Sequence, residues 1–261
     1  MIAFILACIV SFVPCVALYL WLRNRHGKDD VSFRKLCNRT FLRGVLCVFP
    51  IILLSGSSYM ILRVTGVHKV NALLYQGLYT FIVLAFMEEL SKYLFFRMGL
   101  GRTDYPYSWL DVTILMTVVG LGFDVIESIT YAIGANIPVV LVRGICIPHA
   151  GYGFITGYFH GKALQSGKKG WSVFGFAIAF VLHGLYDFSL SEEFIALNEN
   201  LAFVAILLTL LDIVLVIILA VFCRRAKKKE LYTAPLARPE NMRRRRRRLL
   251  PRQNKQQQHG F

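Results

Sequence analysis

The chain has 261 residues, 56% hydrophobic and 17% charged, with a mean hydropathy of +0.54. A water-soluble domain of this size carries more charge and shorter apolar runs, so that class is excluded. The formal charge of +15 is gathered into a few stretches instead of spread over a surface, as membrane topology requires.

Seven apolar runs reach the roughly 20 residues that cross a hydrocarbon core of about 30 Å. In chain order they fall at about 2–22, 41–62, 72–97, 108–134, 137–161, 171–190 and 199–222. The first, opening MIAFILACIV, has no basic residue ahead of it, and its positive charge follows. That predicts a retained helix with a translocated N-terminus, not a cleaved signal peptide. Arg23, Arg25, Lys28, Arg34, Lys35 and Arg39 lie between the first two runs. Arg97 and Arg102 lie at or between the third and fourth, and Lys162, Lys168 and Lys169 between the fifth and sixth. The opposite connections hold Arg63 and Lys69, then NIP (136–138) with nothing basic, then the acidic Glu192, Glu193 and Glu199. Basic loops stay on the cytoplasmic side. The predicted fold is therefore an all-α polytopic helical bundle of about seven transmembrane helices, N-terminus out and C-terminus in.

No internal repeat or domain boundary is visible within 1–222, the expected integral-membrane bundle. Residues 223–261 are basic and polar and are predicted to be a disordered cytoplasmic tail. Its run Arg243–Arg248 is read first as attraction to anionic lipid. A plain topology determinant comes next, and no motif supports specific nucleic-acid binding. Cys8, Cys15, Cys37, Cys47, Cys146 and Cys223 lie mostly inside apolar runs, so no disulfide is expected. The sequon Asn38-Arg39-Thr40 falls on the cytoplasmic side of this topology, out of reach of glycosylation.

Ionisable residues inside a bilayer cost at least a few kcal/mol, face the bundle interior and usually mark function. Four runs carry them. The third holds Glu88, Glu89 and Lys92 as E-E-x-x-K, and the fourth holds Phe123, Asp124, Glu127 and Tyr131 in FDVIESITY. The fifth holds His149 in PHAGYGFITGYFHG, and the sixth His183 and Asp187 in HGLYDF. Glu88 and Glu89 diverge by about 100° and should not address one point. Glu88 and Lys92, at i, i+4, have the spacing favoured for a pair, so Lys92 can neutralise one glutamate and leave the other for the interior, which of the two being left open. Phe123, Glu127 and Tyr131 share one stripe, and so do His149, Gly153, Gly157 and Gly161, where glycines admit a close neighbouring helix. His183 and Asp187 share a face, so Asp187 can orient the imidazole or accept its proton. Each group sits within about six residues of its span's centre, roughly 9 Å, which predicts a shared site near the midplane. His160 and Asp124 fall outside these stripes and are read as structural. A Glu–Lys pair or a single membrane histidine is by itself as readily structural; four motifs on consecutive spans favour a site.

E-E-x-x-K (88–92), F-x-x-x-E-x-x-x-Y (123–131), H-x-x-x-G-x-x-x-G (149–157) and H-x-x-x-D (183–187), in this order, resemble the PrsW family of intramembrane proteases. That family is related to the type II CAAX prenyl protease and bacteriocin-processing superfamily. The resemblance covers about 72–190, the motif-bearing core. It implies an endopeptidase that cuts a membrane-anchored protein, an anti-sigma factor in the founding case, in a bacterial plasma membrane. By position it makes Glu88, Glu89, Glu127, His149 and His183 the catalytic group. Lys92, Asp187, Tyr131, Phe123, Gly153 and Gly157 would support it. The substrate does not carry over.

Peptide hydrolysis needs an activated water, an oxyanion stabiliser and a proton for the leaving amine. In the favoured arrangement Glu88 or Glu89 activates water without any cofactor, and the histidines stabilise the oxyanion or move protons. In the alternative, His149 and His183 bind Zn²⁺ with a carboxylate, and a remaining glutamate is the base. No H-E-x-x-H is present, so the metal ligands are left unassigned. Two other classes are a proton- or ion-coupled transporter, for which no repeat partners Pro138 and Pro148, and a catalytically inactive membrane scaffold.

Overall fold

The computed structural model describes residues 2–133 and 144–236. No strand occurs among the described residues; one isolated antiparallel bridge joins Ser108 to Pro235. The helices are α1 (Ile2–His26), α2 (Val31–Leu46), α3 (Val48–Val64), α4 (Val67–Val70) and α5 (Ala72–Leu78). A π-helical segment, Tyr79–Ala85, leads into α6 (Phe86–Leu100), followed by α7 (Trp109–Ile133), α8 (Pro148–Ser166) and α9 (Gly170–Ser189). Short α10 (Glu192–Ile195), long α11 (Ala202–Ala226) and short α12 (Glu230–Thr233) complete the chain.

Among the described residues, five segments are long and apolar enough to cross a membrane: Val31–Val64, Ala72–Leu100, Trp109–Ile133, Gly170–Ser189 and Ala202–Ala226. They lie at the expected second, third, fourth, sixth and seventh runs. The second starts earlier than its hydropathy suggests, at Val31 instead of about 41. Asp30 caps it, its Oδ1 accepting the Phe33 N–H at 2.8 Å. Phe33, Leu36, Cys37, Thr40 and Gly44 then form a buried stripe against α7. Arg34, Lys35 and Arg39 on the other faces mask that stripe in an averaged hydropathy. The helix breaks at Cys47, whose carbonyl accepts the Ser91 hydroxyl at 2.8 Å.

α7 is the centre of the bundle, buried without interruption from Trp109 to Asp124 and packed by α1, α2, α6 and α8. The α7–α8 seam is made by glycine. A Cβ at Gly153 would lie 2.8 Å from the Met116 carbonyl oxygen, and one at Gly157 2.9 Å from that of Thr113. Gly120 answers from α7, where a Cβ would lie 2.1 Å from the His149 carbonyl oxygen. The expected glycine face is thus a contact of backbone on backbone.

One end of the bundle gathers several connections. Tyr105 donates to Asp30 at 2.8 Å, and His26 Nε2 meets Asp111 at 2.6 Å. Here the expected disorder is corrected over 223–236. α11 runs on to Ala226, the Leu236 N–H donates to the Tyr107 carbonyl at 2.7 Å, and Lys227 donates to the Arg25 carbonyl at 2.9 Å. Tyr232 packs its ring 4.8 Å from Trp109. Apolar Tyr232 and Leu236 between the basic residues give this segment something to bury. The arginine run 243–248, and NIP with Pro138, lie outside the described residues. Cys15, Cys37, Cys47, Cys146 and Cys223 are all buried.

Candidate active site

α6 brings Glu88, Glu89 and Lys92 into the bundle one turn after the π segment, where all three are buried. The Glu88–Lys92 pair that the spacing favours does not form. Lys92 Nζ instead donates to Glu89 Oε1 at 2.6 Å, an i, i+3 pair with both side chains 1% exposed. Both spacings are neighbours on a helix. The choice is made by His149, whose Nδ1 lies 2.7 Å from the same ammonium and holds it on the Glu89 side. The Phe123 ring closes the pocket around it, with Lys92 Nζ 4.3 Å from its centroid.

Nor do the two glutamates point to separate places. His183 receives both because an imidazole has two nitrogens: Nδ1 is 3.0 Å from Glu89 Oε1, and Nε2 is 3.6 Å from Glu88 Oε2. Asp187 Oδ2 lies 3.1 Å from the same Nε2. Asp187 thus faces the ring from the Nε2 side, and Glu89 Oε1 takes the proton of Nδ1.

The partners fix the tautomers. A carboxylate only accepts, so His183 Nδ1–H faces Glu89, and Nε2, which has Glu88 and Asp187 in front of it, carries a proton as well unless a cation takes that place. An ammonium only donates, so His149 Nδ1 accepts from Lys92 and Nε2–H donates to Glu127 Oε2. Asp124 Oδ1 stands 4.0 Å from that Nε2. His183 Nε2 and Glu88 Oε2 are buried without a hydrogen bond of adequate geometry. Five carboxylates, Glu88, Glu89, Asp124, Glu127 and Asp187, thus surround one ammonium and two imidazoles. Electrostatically the cluster is short of positive charge.

Two groups have the residue types and closeness to hold a metal ion: Glu88, His149 and His183, and Asp124, Glu127 and His149, the ligand atoms of each within 4.8 Å of one another. The first fits best on its donors, because a cation there would satisfy the two buried atoms that have no hydrogen bond.

The groups stand at different positions along their helices: Glu88 and Glu89 lie near the middle of Ala72–Leu100. His149 is the second residue of α8, and Asp187 and Glu127 lie near the ends of α9 and α7. The chain enters α8 through Ile147, a β-branched residue held at φ 47°, so backbone strain sits two residues from His149. Tyr131 lies a turn beyond Glu127 and is half-buried. His160 is the inter-helix link expected of it, meeting Tyr93 at 3.2 Å and Ser172 at 2.8 Å.

Asp124 was read as structural, yet it belongs to the cluster; its i, i+3 relation to Glu127 is the signal that places both on one face. The sequence reading also passed over Asp212, the one acidic residue of α11, which is 2% exposed and accepts from Tyr152 at 3.3 Å. A single carboxylate in an apolar span was the signal.

Comparison with known proteins follows the same motifs. The profile described as PrsW family intramembrane metalloprotease matches residues 33–222. Protease PrsW of Geobacillus kaustophilus (strain HTA426) is 31% identical over 189 residues, 68% of this chain and 76% of its own length. Protease PrsW of Bacillus subtilis (strain 168) is 30% identical over 193 residues, 69% of this chain and 81% of its own. That of Halalkalibacterium halodurans is 28% identical over 191 residues, 68% and 80% of the two chains. No solved structure matches.

Proposed function

Because the chain belongs to the PrsW family of intramembrane proteases, we propose that it hydrolyses a peptide bond of a membrane-anchored protein with the help of a metal ion held by Glu88, His149 and His183. The carrying observation is the buried pair Glu88 Oε2 and His183 Nε2, 3.6 Å apart and lacking hydrogen bonds, in a cluster whose carboxylates outnumber its cations. This charge balance favours the metal arrangement over an unaided glutamate. A zinc ion there supplies a water of lowered pKa and a Lewis acid for the scissile carbonyl.

The chain's own groups divide the remaining work. Glu89 Oε1 holds the His183 ring and the Lys92 ammonium, so it is a positioning residue. Glu127, hydrogen-bonded to His149 Nε2 and less buried than Glu89, takes the proton of the attacking water at its carboxylate and returns it to the leaving amine. Lys92, fixed between Glu89 and His149, occupies the His149 Nδ1 lone pair, so this ammonium would have to yield that nitrogen for His149 to join the metal. The surrounding helices exclude bulk water, which strengthens each of these interactions.

In this reading α1, of 25 residues, and α8, of 19, add to the five apolar segments to make seven spans. The N-terminus is outside, the C-terminus inside, the membrane is a bacterial plasma membrane, and the basic tail meets anionic lipid. The deciding experiment is cleavage of a single-span reporter by the purified full chain, with and without chelator. Loss on chelation and recovery with zinc is the expected result. Chelator-resistant cleavage refutes the metal, and equal cleavage by wild type and a His149→Ala/His183→Ala variant refutes the protease.

A further inference from the structure

Outside the motif-bearing core, one buried ionisable group stands out. α11 is the most apolar of the membrane-crossing segments, and within it Asp212 is 2% exposed. A carboxylate there costs a few kcal/mol. An inter-helix hydrogen bond within a membrane returns on average about 0.6 kcal/mol, so helix association does not account for it. Association is in any case served by apolar packing on the same stripe. A Cβ at Gly151 of α8 would lie 3.1 Å from the Leu215 side chain.

The partner of Asp212 reveals another use. Its Oδ2 accepts from the Tyr152 hydroxyl at 3.3 Å, and both residues are buried. The Tyr152 ring lies stacked on the His183 imidazole, centroids 5.2 Å apart with 20° between planes. The same ring stands edge-on to His149 at 5.8 Å. The hydroxyl points toward α11, so the phenol offers its face to the site and its polar end to Asp212.

We infer that Asp212 and Tyr152 are a positioning pair: Asp212 anchors the Tyr152 hydroxyl, and the anchored ring sets the plane of His183. Glu89 holds the Nδ1 proton of His183, and Tyr152 fixes where the other nitrogen points. A span carrying none of the four motifs thereby reaches the site. The inference rests on the proposed role of His183.

The test uses the full chain in detergent and compares Tyr152→Phe, Asp212→Leu and their combination with wild type, with Asp212→Asn as the conservative variant. Outer partners of a site typically carry ten- to a hundredfold in activity or metal affinity. Tyr152→Phe keeps the ring and loses the anchor, so kcat and zinc affinity should fall about tenfold with KM unchanged. The combined variant should be no worse than the worse single one, because both break one hydrogen bond. Asp212→Asn, which retains an acceptor oxygen, should recover part of the loss of Asp212→Leu.

A readout free of both activity and metal keeps this separate from the protease reading. Ring resonances of His183 should move in Tyr152→Phe while those of His160 stay. Wild-type chain that cleaves no reporter would sink the protease reading alone, and the His183 resonances would still decide the pair. Unmoved His183 resonances in Tyr152→Phe, losses that multiply in the combined variant, or a change confined to KM each overturn the inference. Asp212→Leu that fails to accumulate leaves the decision to Tyr152→Phe and Asp212→Asn, and equal damage in those two also overturns it.

Discussion

Gly120→Ala tests whether the α7–α8 seam sets the catalytic geometry. The new Cβ would lie 2.1 Å from the His149 carbonyl oxygen and 2.8 Å from its carbonyl carbon. Both atoms are backbone, so no side chain can swing aside. Restoring the 3.4 Å of ordinary contact requires α7 and α8 to part locally by about 1 Å. His149 moves with its backbone, while Lys92 and Glu89 stay on α6. A displacement of this size costs roughly a hundredfold in turnover, about 2.7 kcal/mol of barrier. Overpacking adds about 1–3 kcal/mol of lost stability. The assay is kcat and KM for a single-span reporter in proteoliposomes at matched folded protein. Gly56→Ala serves as control, since no atom lies within 4 Å of a Cβ there. The reasoning is refuted if Gly120→Ala turns over within about twofold of wild type.

Two further outcomes follow from the same contacts. Glu89→Gln and Lys92→Met each strand a buried charge, and each should cost about 3–5 kcal/mol of stability. Their combination should cost less than the sum, as read from thermal unfolding of all four forms in detergent. Asp30→Ala removes the α2 cap and should cost about 1 kcal/mol, seen as faster hydrogen exchange in the first turn. Burial pushes the Asp30 carboxyl up, but the Phe33 N–H and the Tyr105 hydroxyl outweigh it and hold it below the usual range. With the folded value lowered, this contribution is present above the ordinary carboxylate range and fades as pH falls through the lowered value.

The residues of the site were legible because charge inside a membrane is rare enough to be read one residue at a time. Spacing assigned Glu127, His149, His183 and one of Glu88 and Glu89 to inward faces, and the structure brings them together with both glutamates. Spacing did not give the pairings. On a helix, Lys92 is equally a neighbour of Glu88 and Glu89, and only His149, 57 residues away in sequence, decides between them. Asp124 was lost for a related reason: reading stripes at i, i+4 discards an i, i+3 neighbour. The packed tail residues 223–236 were hidden by averaged charge, since Tyr232 and Leu236 are too few to register as a run.

The π-helical segment Tyr79–Ala85 gives the span Ala72–Leu100 two independent phases. A π turn closes its hydrogen bonds over one more residue than an α turn, so the helix continues unbroken with its faces rotated. Before it, α5 meets the short helices α4 and α10; after it, α6 meets α2, α3, α7 and α9. One span thereby answers to two sets of neighbours, which a uniform helix of the same sequence could not do. Rewinding 79–85 as plain α-helix with every residue kept would turn Glu88 and Glu89 by about 100° relative to α5. Change can therefore accumulate in the segment ahead of Tyr79 without turning the carboxylates out of the site, provided the π turn is kept.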